Sequence, residues 1–338
     1  MTDQCHTGLL GDKMPTISVE QSLLKKLVEG KGRVHDVHDL AYRLPLMGTD
    51  IDNCNDEILD IEIFPDRPDL LSAETLFHGM MPFLHDAPAN PRLLIKSGIT
   101  RMTVSPDLRE IRPVILGAIV RGLEIDDDII KRLMEHQEKL HFALGRGRKR
   151  ASIGVHDLSK LSPPFRVEAV TRNHSFQPLA MDKSMTIDEI LLKHPKGIDY
   201  AHLLEGFDRV PIILDSNDDV LSFPPVINGD HTTVTTETKD LFIDVTGIDQ
   251  RACESALMLI CLQLHIMGGK IESVRVKTCE GKDWILDGTP KTHKVKRSLV
   301  ENILGYSFKD QEIKESIRRM GGVYKGDDNG ILSISMPR

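Results

Sequence analysis

At 338 residues the chain is long enough for two or three domains, and 40% hydrophobic with 28% charged residues is the make-up of an ordinary folded protein with a core to bury. A formal net charge of -8 and only 4% aromatic residues exclude a wholly basic nucleic-acid binder and argue against an aromatic base-stacking surface, so any polyanion must meet a local patch. Cys5, Cys54, Cys253, Cys261 and Cys279 are scattered, odd in number and without a CxxC pair, which points to a reducing cytoplasm and away from a disulfide framework or a cysteine zinc site. The longest apolar run, Ala256 to Ile266, is interrupted by Cys261, Gln263 and His265 and is too short to span a membrane. The opening MTDQCHTGLLGDK lacks the basic and apolar regions of a signal peptide.

In chain order, residues 1–13 read as an extension, and 14–90 as an N-terminal α/β module. Its expected elements are a strand at Met14–Val19, a helix at Val19–Glu29, a short helix at His35–Leu44 and a half-buried strand at Ile58–Ile63, where Asp60 and Glu62 alternate with isoleucines. After the turn Phe64–Asp69, Ser72 caps a helix over Ala73–Leu84 with Glu74 in its first turn. Ala87-Pro88-Ala89-Asn90-Pro91 is a linker. Residues 91–277 form a central module. Strands are expected at Leu93–Ser97, Val114–Val120, Ser152–Val155, Phe165–Val170, Pro211–Leu214, Val220-Leu221, Val234–Thr236, Leu241–Val245 and Ile271–Lys277, and helices at Ile125–Leu144, Ile187–Lys193 and Gln250–Met267. Asp249 and Gly268-Gly269 punctuate the last helix. Residues 278–338 change texture: two helices, Lys296–Leu304 and Asp310–Met320, precede a hairpin over Gly322–Met336 around Asp327–Gly330. This is the pattern of a small DNA-binding-like module or of a structural connector. The chain stops at Pro337-Arg338 directly after a strand, an abrupt end. The fold class is α/β (α+β) and multidomain.

The densest chemistry lies in Leu221–Gly247, LSFPPVINGDHTTVTTETKDLFIDVTG. Ser222 precedes Pro224-Pro225, Asn228-Gly229-Asp230 follows, and six threonines fall between 232 and 246. A strand, a sharp glycine turn at Gly247 and a helix N-terminus would aim backbone N–H groups and short hydroxyls at one point. Asp244 and Thr246 lie two apart on a strand and so share a face. A carboxylate with hydroxyls there suits holding a substrate amine and a water, because no base is placed to activate a nucleophile. A threonine-rich hairpin beside a capped helix is the plainer alternative. Lys139–Arg150, KLHFALGRGRKR, holds five basic residues and no acid on a chain that is acidic overall. Its glycines put it on a turn suited to phosphate contacts, unless it is simply a solvated loop. His156-Asp157 could be an acid/base pair or a hydrogen-bonded turn histidine. No HExxH, GxSxG, P-loop or GxGxxG is present, so zinc, serine-hydrolase, NTPase and dinucleotide readings lack support.

Taken together, Met14-Pro15-Thr16-Ile17, Glu62–Ser72 (EIFPDRPDLLS), Gly154-Val155-His156-Asp157-Leu158, Phe223–Gly229 (FPPVING) and Phe242–Gly247 (FIDVTG) resemble the β subunit of archaeal and eukaryotic-type phenylalanyl-tRNA synthetase over residues 14–338. The resemblance implies a central editing module of the family's third-and-fourth-domain type and a fifth module of DNA-binding-like fold. On this resemblance, the helical C-terminal modules and catalytic-like domain that follow in the family are expected to be absent from these 338 residues. It implies a role in aminoacylating tRNA(Phe), with ATP and magnesium supplied to an α2β2 assembly with the α subunit, and no cofactor or metal in this portion. It also implies hydrolysis of mischarged tyrosyl-tRNA(Phe) in a pocket to which Asp244, Thr246 and Asn228 are carried over as catalytic residues and Ser222, Gly229 and Gly247 as substrate-binding ones. Lys139, Arg146 and Arg148 would steer the tRNA 3′ end. A freestanding deacylase acting in trans, or a non-catalytic tRNA-binding or assembly module, are the rival expectations.

Overall fold

The computed structural model describes residues 15–337, so the expected extension at 1–13 lies outside the described residues. Strand β1 (Thr16–Glu20), helices α1 (Gln21–Glu29) and α2 (Val37–Arg43), strands β2 (Thr49–Cys54) and β3 (Ile58–Ile63) and helix α3 (Ala73–Leu84) come first. The sheet order β1-β3-β2 is antiparallel throughout. Alternation drives its one-sided burial: Ile17, Val19, Leu59, Ile61 and Ile63 turn inward against Leu24, Val28, Leu76 and Met80. The Ser72 hydroxyl accepts from the Thr75 N–H at 3.2 Å and the Thr75 hydroxyl accepts from the Ser72 N–H at 3.2 Å, a reciprocal cap that starts α3 where the sequence places it. Strand β2 carries only a weak sequence signal, because in TDIDNC the alternation of Thr49 and Ile51 with Asp50 and Asp52 is short and gives way to exposed Asn53.

The central sheet has ten strands. They are β4 (Ile95–Val104), β5 (Val114–Arg121), β6 (Ala151–Asp157), β7 (Phe165–Thr171), β10 (Arg209–Leu214), β11 (Val220–Phe223), β12 (Ile227–Asn228), β13 (Leu241–Gly247), β14 (Lys270–Lys277) and β15 (Asp283–Trp284). A small ribbon, β8 (Ser175–Phe176) with β9 (Met185–Thr186), stands apart. The order is β12-β11-β10-β7-β4-β14-β5-β13-β6, with β15 paired to β14. Helix α4 (Asp127–Ala143) precedes β6, α5 (Ile187–Lys193) and α6 (Pro195–Tyr200) follow β9, and α7 (Gln250–Ile266) follows β13. Asp126 and Asp249 cap α4 and α7 by accepting from Ile129 N at 2.7 Å and Ala252 N at 2.9 Å.

The two faces of this sheet bury different cores. Leu241, Ile243 and Val245 of β13 pack toward α7, whose Ala256, Leu257, Ile260 and Leu264 are buried, while Phe242 joins Phe165, Ile115 and Ile119 on the opposite face. Asp244 and Thr246 share that second face with Phe242. The expected strand at Val234–Thr236 is a loop instead: Thr235 N donates to the Thr238 hydroxyl at 3.0 Å, and that hydroxyl donates to Asp157 at 2.8 Å, so local threonine bonds replace ladder pairing. The expected boundary at 277/278 falls inside the β14–β15 hairpin, whose register pairs Lys277 with Asp283.

The last sheet, β16 (Lys291–Lys296), β17 (Val323–Asp328) and β18 (Ile331–Met336), is ordered β16-β18-β17 beside α8 (Arg297–Leu304) and α9 (Asp310–Arg319). It therefore adds a third strand to the expected two helices and hairpin. Arg318 of α9 donates to Ala87 O at 2.8 Å and pairs with Asp86 at 3.0 Å, tying this unit to the segment after α3.

Candidate functional site: a polar cavity at the seam of the central sheet

The two ends of the ten-strand order come together. Asn228 of β12 donates its amide to Val155 O of β6 at 3.3 Å, and Arg148 donates to Pro225 O and Val226 O at 3.3 and 3.1 Å. Between these edges lies a cavity of about 340 Å³. Its apolar wall includes Ile130, Met134, Val155, Val226 and Ile227, and its polar groups include Ser222, Asn228, Thr232 and Asp244. That size sits at the low end of small-molecule sites, about 300–1,000 Å³. Gly229 lies on the lining because nothing larger fits: its N–H donates to Leu221 O at 2.8 Å, and a Cβ there would stand 2.2 Å from Val220 O.

Asp244 is 1% exposed. Its Oδ2 lies 2.8 Å from His156 Nε2, and its Oδ1 makes no hydrogen bond with any described residue. Of the two readings of His156-Asp157, the local acid/base pair does not form. Neighbours on a strand point to opposite faces, and Asp157 instead accepts from Ser159 N at 2.9 Å and from Thr238. The cavity therefore holds a buried carboxylate with one oxygen engaged by His156 and the other without a partner among the described residues.

Thr246 and Gly247 do not line the cavity. The Thr246 hydroxyl accepts from Arg112 Nε at 2.7 Å and lies 3.0 Å from the Ser152 hydroxyl. Arg112 also reaches Thr246 O at 2.8 Å and Arg148 O at 3.0 Å, and is 4% exposed. Burial pulls its pKa down to about 10, opposed by Cys253 and Asp244, so it keeps its charge at neutral pH. Gly247 is a packing glycine in the strand rather than a turn: a Cβ would stand 2.0 Å from Arg150 O and 2.6 Å from Cys253 Sγ. The N-terminus of α7 is closed by Asp249, which also pairs with Arg150 at 2.6 Å, so the expected convergence of helix N–H groups on the site is not found.

The basic turn divides. Arg146 is exposed in the left-handed region at φ 47°, and Lys139 is half-buried on α4. Arg148 is 8% exposed, pairs with Glu138 at 2.6 Å and stacks 4.4 Å over the Tyr200 ring. Burial by itself would raise the Glu138 carboxyl, but the His141 hydrogen bond and the Arg148 charge bring it down to about 2. Arg148 is thus a strut of the cavity mouth, corrected from the phosphate contact expected of it. Lys196, a second cation at that mouth, carries no sequence signal.

A protein-family model described as the B3/4 domain matches residues 124–260, the stretch that contributes all of the cavity's lining residues. The chain is 42% identical over 325 residues to the phenylalanine–tRNA ligase β subunit of Methanosarcina barkeri, and 43% identical over 327 residues to that of Methanothrix thermoacetophila. In each case 96% of this chain and 59% of the relative are covered. A crystal structure of an N-terminal fragment of the phenylalanyl-tRNA synthetase β-subunit from Pyrococcus horikoshii superposes with TM-score 0.87 at 32% identity, covering 96% of this chain and 94% of that one. The chain belongs to the phenylalanyl-tRNA synthetase β-subunit family. It spans 59% of the length of these two curated relatives.

Within this β-subunit fold, four of the expected site residues come together on the cavity: Ser222, Asn228, Gly229 and Asp244. Thr232, on the lining, is one threonine among many, and Arg112, in the adjoining Thr246 network, precedes a strand with no motif around it, so neither carries a sequence signal. His156 carries one only toward Asp157, whereas its partner is a carboxylate 88 positions away. Only the spacing of Ser152, Gly154 and His156 on one strand hinted at a shared face.

Proposed function

We propose that this chain is the N-terminal part of a phenylalanine–tRNA ligase β subunit and that its cavity hydrolyses tyrosyl-tRNA(Phe). The observation that carries this reading is Asp244, a buried carboxylate with one free oxygen in an otherwise largely apolar chamber. Tyrosine is phenylalanine plus a hydroxyl, and an apolar pocket rejects an isostere that adds a hydroxyl by only about 10². A second site that binds through a buried polar group discriminates far better, by about 10⁴–10⁵, because the wrong ligand leaves that group unpaired. Asp244 Oδ1 would accept from the phenolic O–H or the α-ammonium, with Ser222 and Asn228 flanking the ester. Water adds to the ester carbonyl carbon, the bond to the ribose oxygen breaks, and the water's proton ends on that oxygen, giving tyrosine and a free hydroxyl on the terminal ribose. Arg146, Lys139 and Lys196 would meet the phosphates of the 3′ end.

Aminoacylation of tRNA(Phe), ATP, magnesium and the α-subunit partner of an α2β2 assembly belong, on this proposal, to the whole ligase. Among the described residues no group of three His, Cys, Asp or Glu side chains is placed to hold a metal ion, and no helix is long and apolar enough to cross a membrane. The test is deacylation of tyrosyl-tRNA(Phe) by the 338-residue chain, with phenylalanyl-tRNA(Phe) as control. Loss of tyrosine alone is expected. Equal loss of both amino acids, or of neither, overturns the reading for this chain.

A further inference from the structure

Strand β6 alternates Ala151, Ile153 and Val155 on its core side with Ser152, Gly154 and His156 on the other. Its antiparallel register against β13 sets Ser152 opposite Thr246, Gly154 opposite Asp244 and His156 opposite Phe242. His156 therefore does not face Asp244 directly. It reaches diagonally across the place where residue 154 would carry a side chain. A Cβ on Gly154 would stand 2.1 Å from Asp244 Oδ2 and 2.8 Å from His156 Nε2, so the contact exists only because that position is glycine.

The imidazole is fully buried and held on every side. It lies over Phe242 with ring centroids 5.9 Å apart and planes 27° apart. Its Nδ1 is 2.9 Å from the Thr232 hydroxyl, which is also 3.0 Å from Gly229 O. One continuous chain of hydrogen bonds thus runs from the carboxylate through the ring and Thr232 to the backbone of the Asn228-Gly229 segment. If the Thr232 hydrogen goes to Nδ1, the neutral ring carries its own hydrogen on Nε2. If it goes to Gly229 O, Nδ1 must be the donor, and a hydrogen between Nε2 and Oδ2 comes from either the ring or the carboxyl. In both arrangements Oδ2 is engaged and Oδ1 is the oxygen left for a ligand.

We infer that His156 is a positioning residue of this site: it fixes the aim of Asp244 and locks that aim to the Asn228-Gly229 wall, so the carboxylate and the wall keep one relative geometry before any ligand arrives. The inference rests on the deacylation reading of the cavity. Preorganisation of this kind raises turnover because no reorientation is needed when the ligand binds.

The experiment uses the 338-residue chain with His156→Phe and His156→Gln, and single-turnover release of tyrosine from tyrosyl-tRNA(Phe). Phenylalanine fills the space without a donor, whereas glutamine returns an amide N–H near the Nε2 position. The Phe variant is expected to lose about 100-fold in the single-turnover rate constant and the Gln variant to recover at least tenfold of that loss. A purely structural role would not give this donor-specific rescue. A folded Phe variant within threefold of wild type, or a folded Gln variant no better than Phe, overturns the inference. An inactive wild-type chain instead overturns the deacylation reading. Nitrogen-15 spectra of the histidines then judge the pairing independently of activity and of either His156 variant: the His156 Nε2 resonance must shift in Asp244→Asn, and an unmoved resonance overturns the inference.

Discussion

Asp244 and Thr246 stand two residues apart on the same face of one strand, and both are almost wholly buried. Thr246 looks into a closed network in which Arg112, Ser152 and three backbone carbonyls satisfy one another. Asp244 lines a chamber, and one of its oxygens has no partner among the described residues. Shared face and shared burial are therefore not shared role. What separates them is the neighbour across β6: Ser152 meets Thr246 directly, whereas Gly154, with no side chain, leaves the room through which His156 reaches Asp244.

The strongest way to break this contrast is Asp244→Ala. It should lower tyrosyl-tRNA deacylation about a thousandfold, near 4 kcal/mol of transition-state stabilisation, with an unchanged circular dichroism spectrum. Full activity in that variant would move the chemistry elsewhere.

A third buried group, His136, extends the contrast to the other side of the sheet. Its Nδ1 is 2.8 Å from Gln263 Oε1, and its Nε2 has no partner. Burial pushes its pKa down to about 4, from 6.5, against the smaller upward pull of Gln263. The unfolded chain thus binds a proton on this group between pH 6.5 and 4 that the folded chain refuses. Its contribution is complete above pH 6.5 and fades as pH falls to 4, by about 3 kcal/mol in urea unfolding. An unaltered pH dependence in His136→Phe would remove this group as the cause.

Thr246→Val should be next in size. It strands an Arg112 donor and costs about 1–3 kcal/mol of stability by thermal melting, with a smaller loss of deacylation than Asp244→Ala. The reverse ranking would put Thr246 at the chemistry. The smallest effects concern the basic turn. Arg146→Glu should leave the melting temperature unchanged, weaken tRNA binding and reduce its salt slope by about 1, as measured by filter binding. Arg148→Glu should destabilise the cavity mouth instead. Identical behaviour of the two would erase the distinction between a free cation and a strut.

Much of this architecture was legible because its signals are local. Ser72, Asp126 and Asp249 announce three helices by capping chemistry, and alternation places Asp244 and Thr246 on one face. What was not legible depends on which strands become neighbours. The Asn228–Val155 seam, the diagonal from His156 to Asp244 and the burial of Arg148 all join residues 73 to 88 positions apart. Strands β2 and β16 escaped for a simpler reason. TDIDNC and KTHKVK are polar edge strands with little hydrophobic alternation to read.

The parallel contact of β4 with β14 joins Ile95–Thr103 to Ile271–Lys277 near the middle of the sheet. On the ribosome, β4 is made first and must wait for roughly 170 further residues before its neighbour is synthesised, about 10–30 s at about 5–20 residues per second. The N-terminal sheet, complete by Ile63, has no such delay. The nascent chain therefore carries a finished head and an open strand edge for about half of its synthesis. Stalling within the codons for 104–270 would expose that edge, and ribosome-bound intermediates of those lengths should be the aggregation-prone ones.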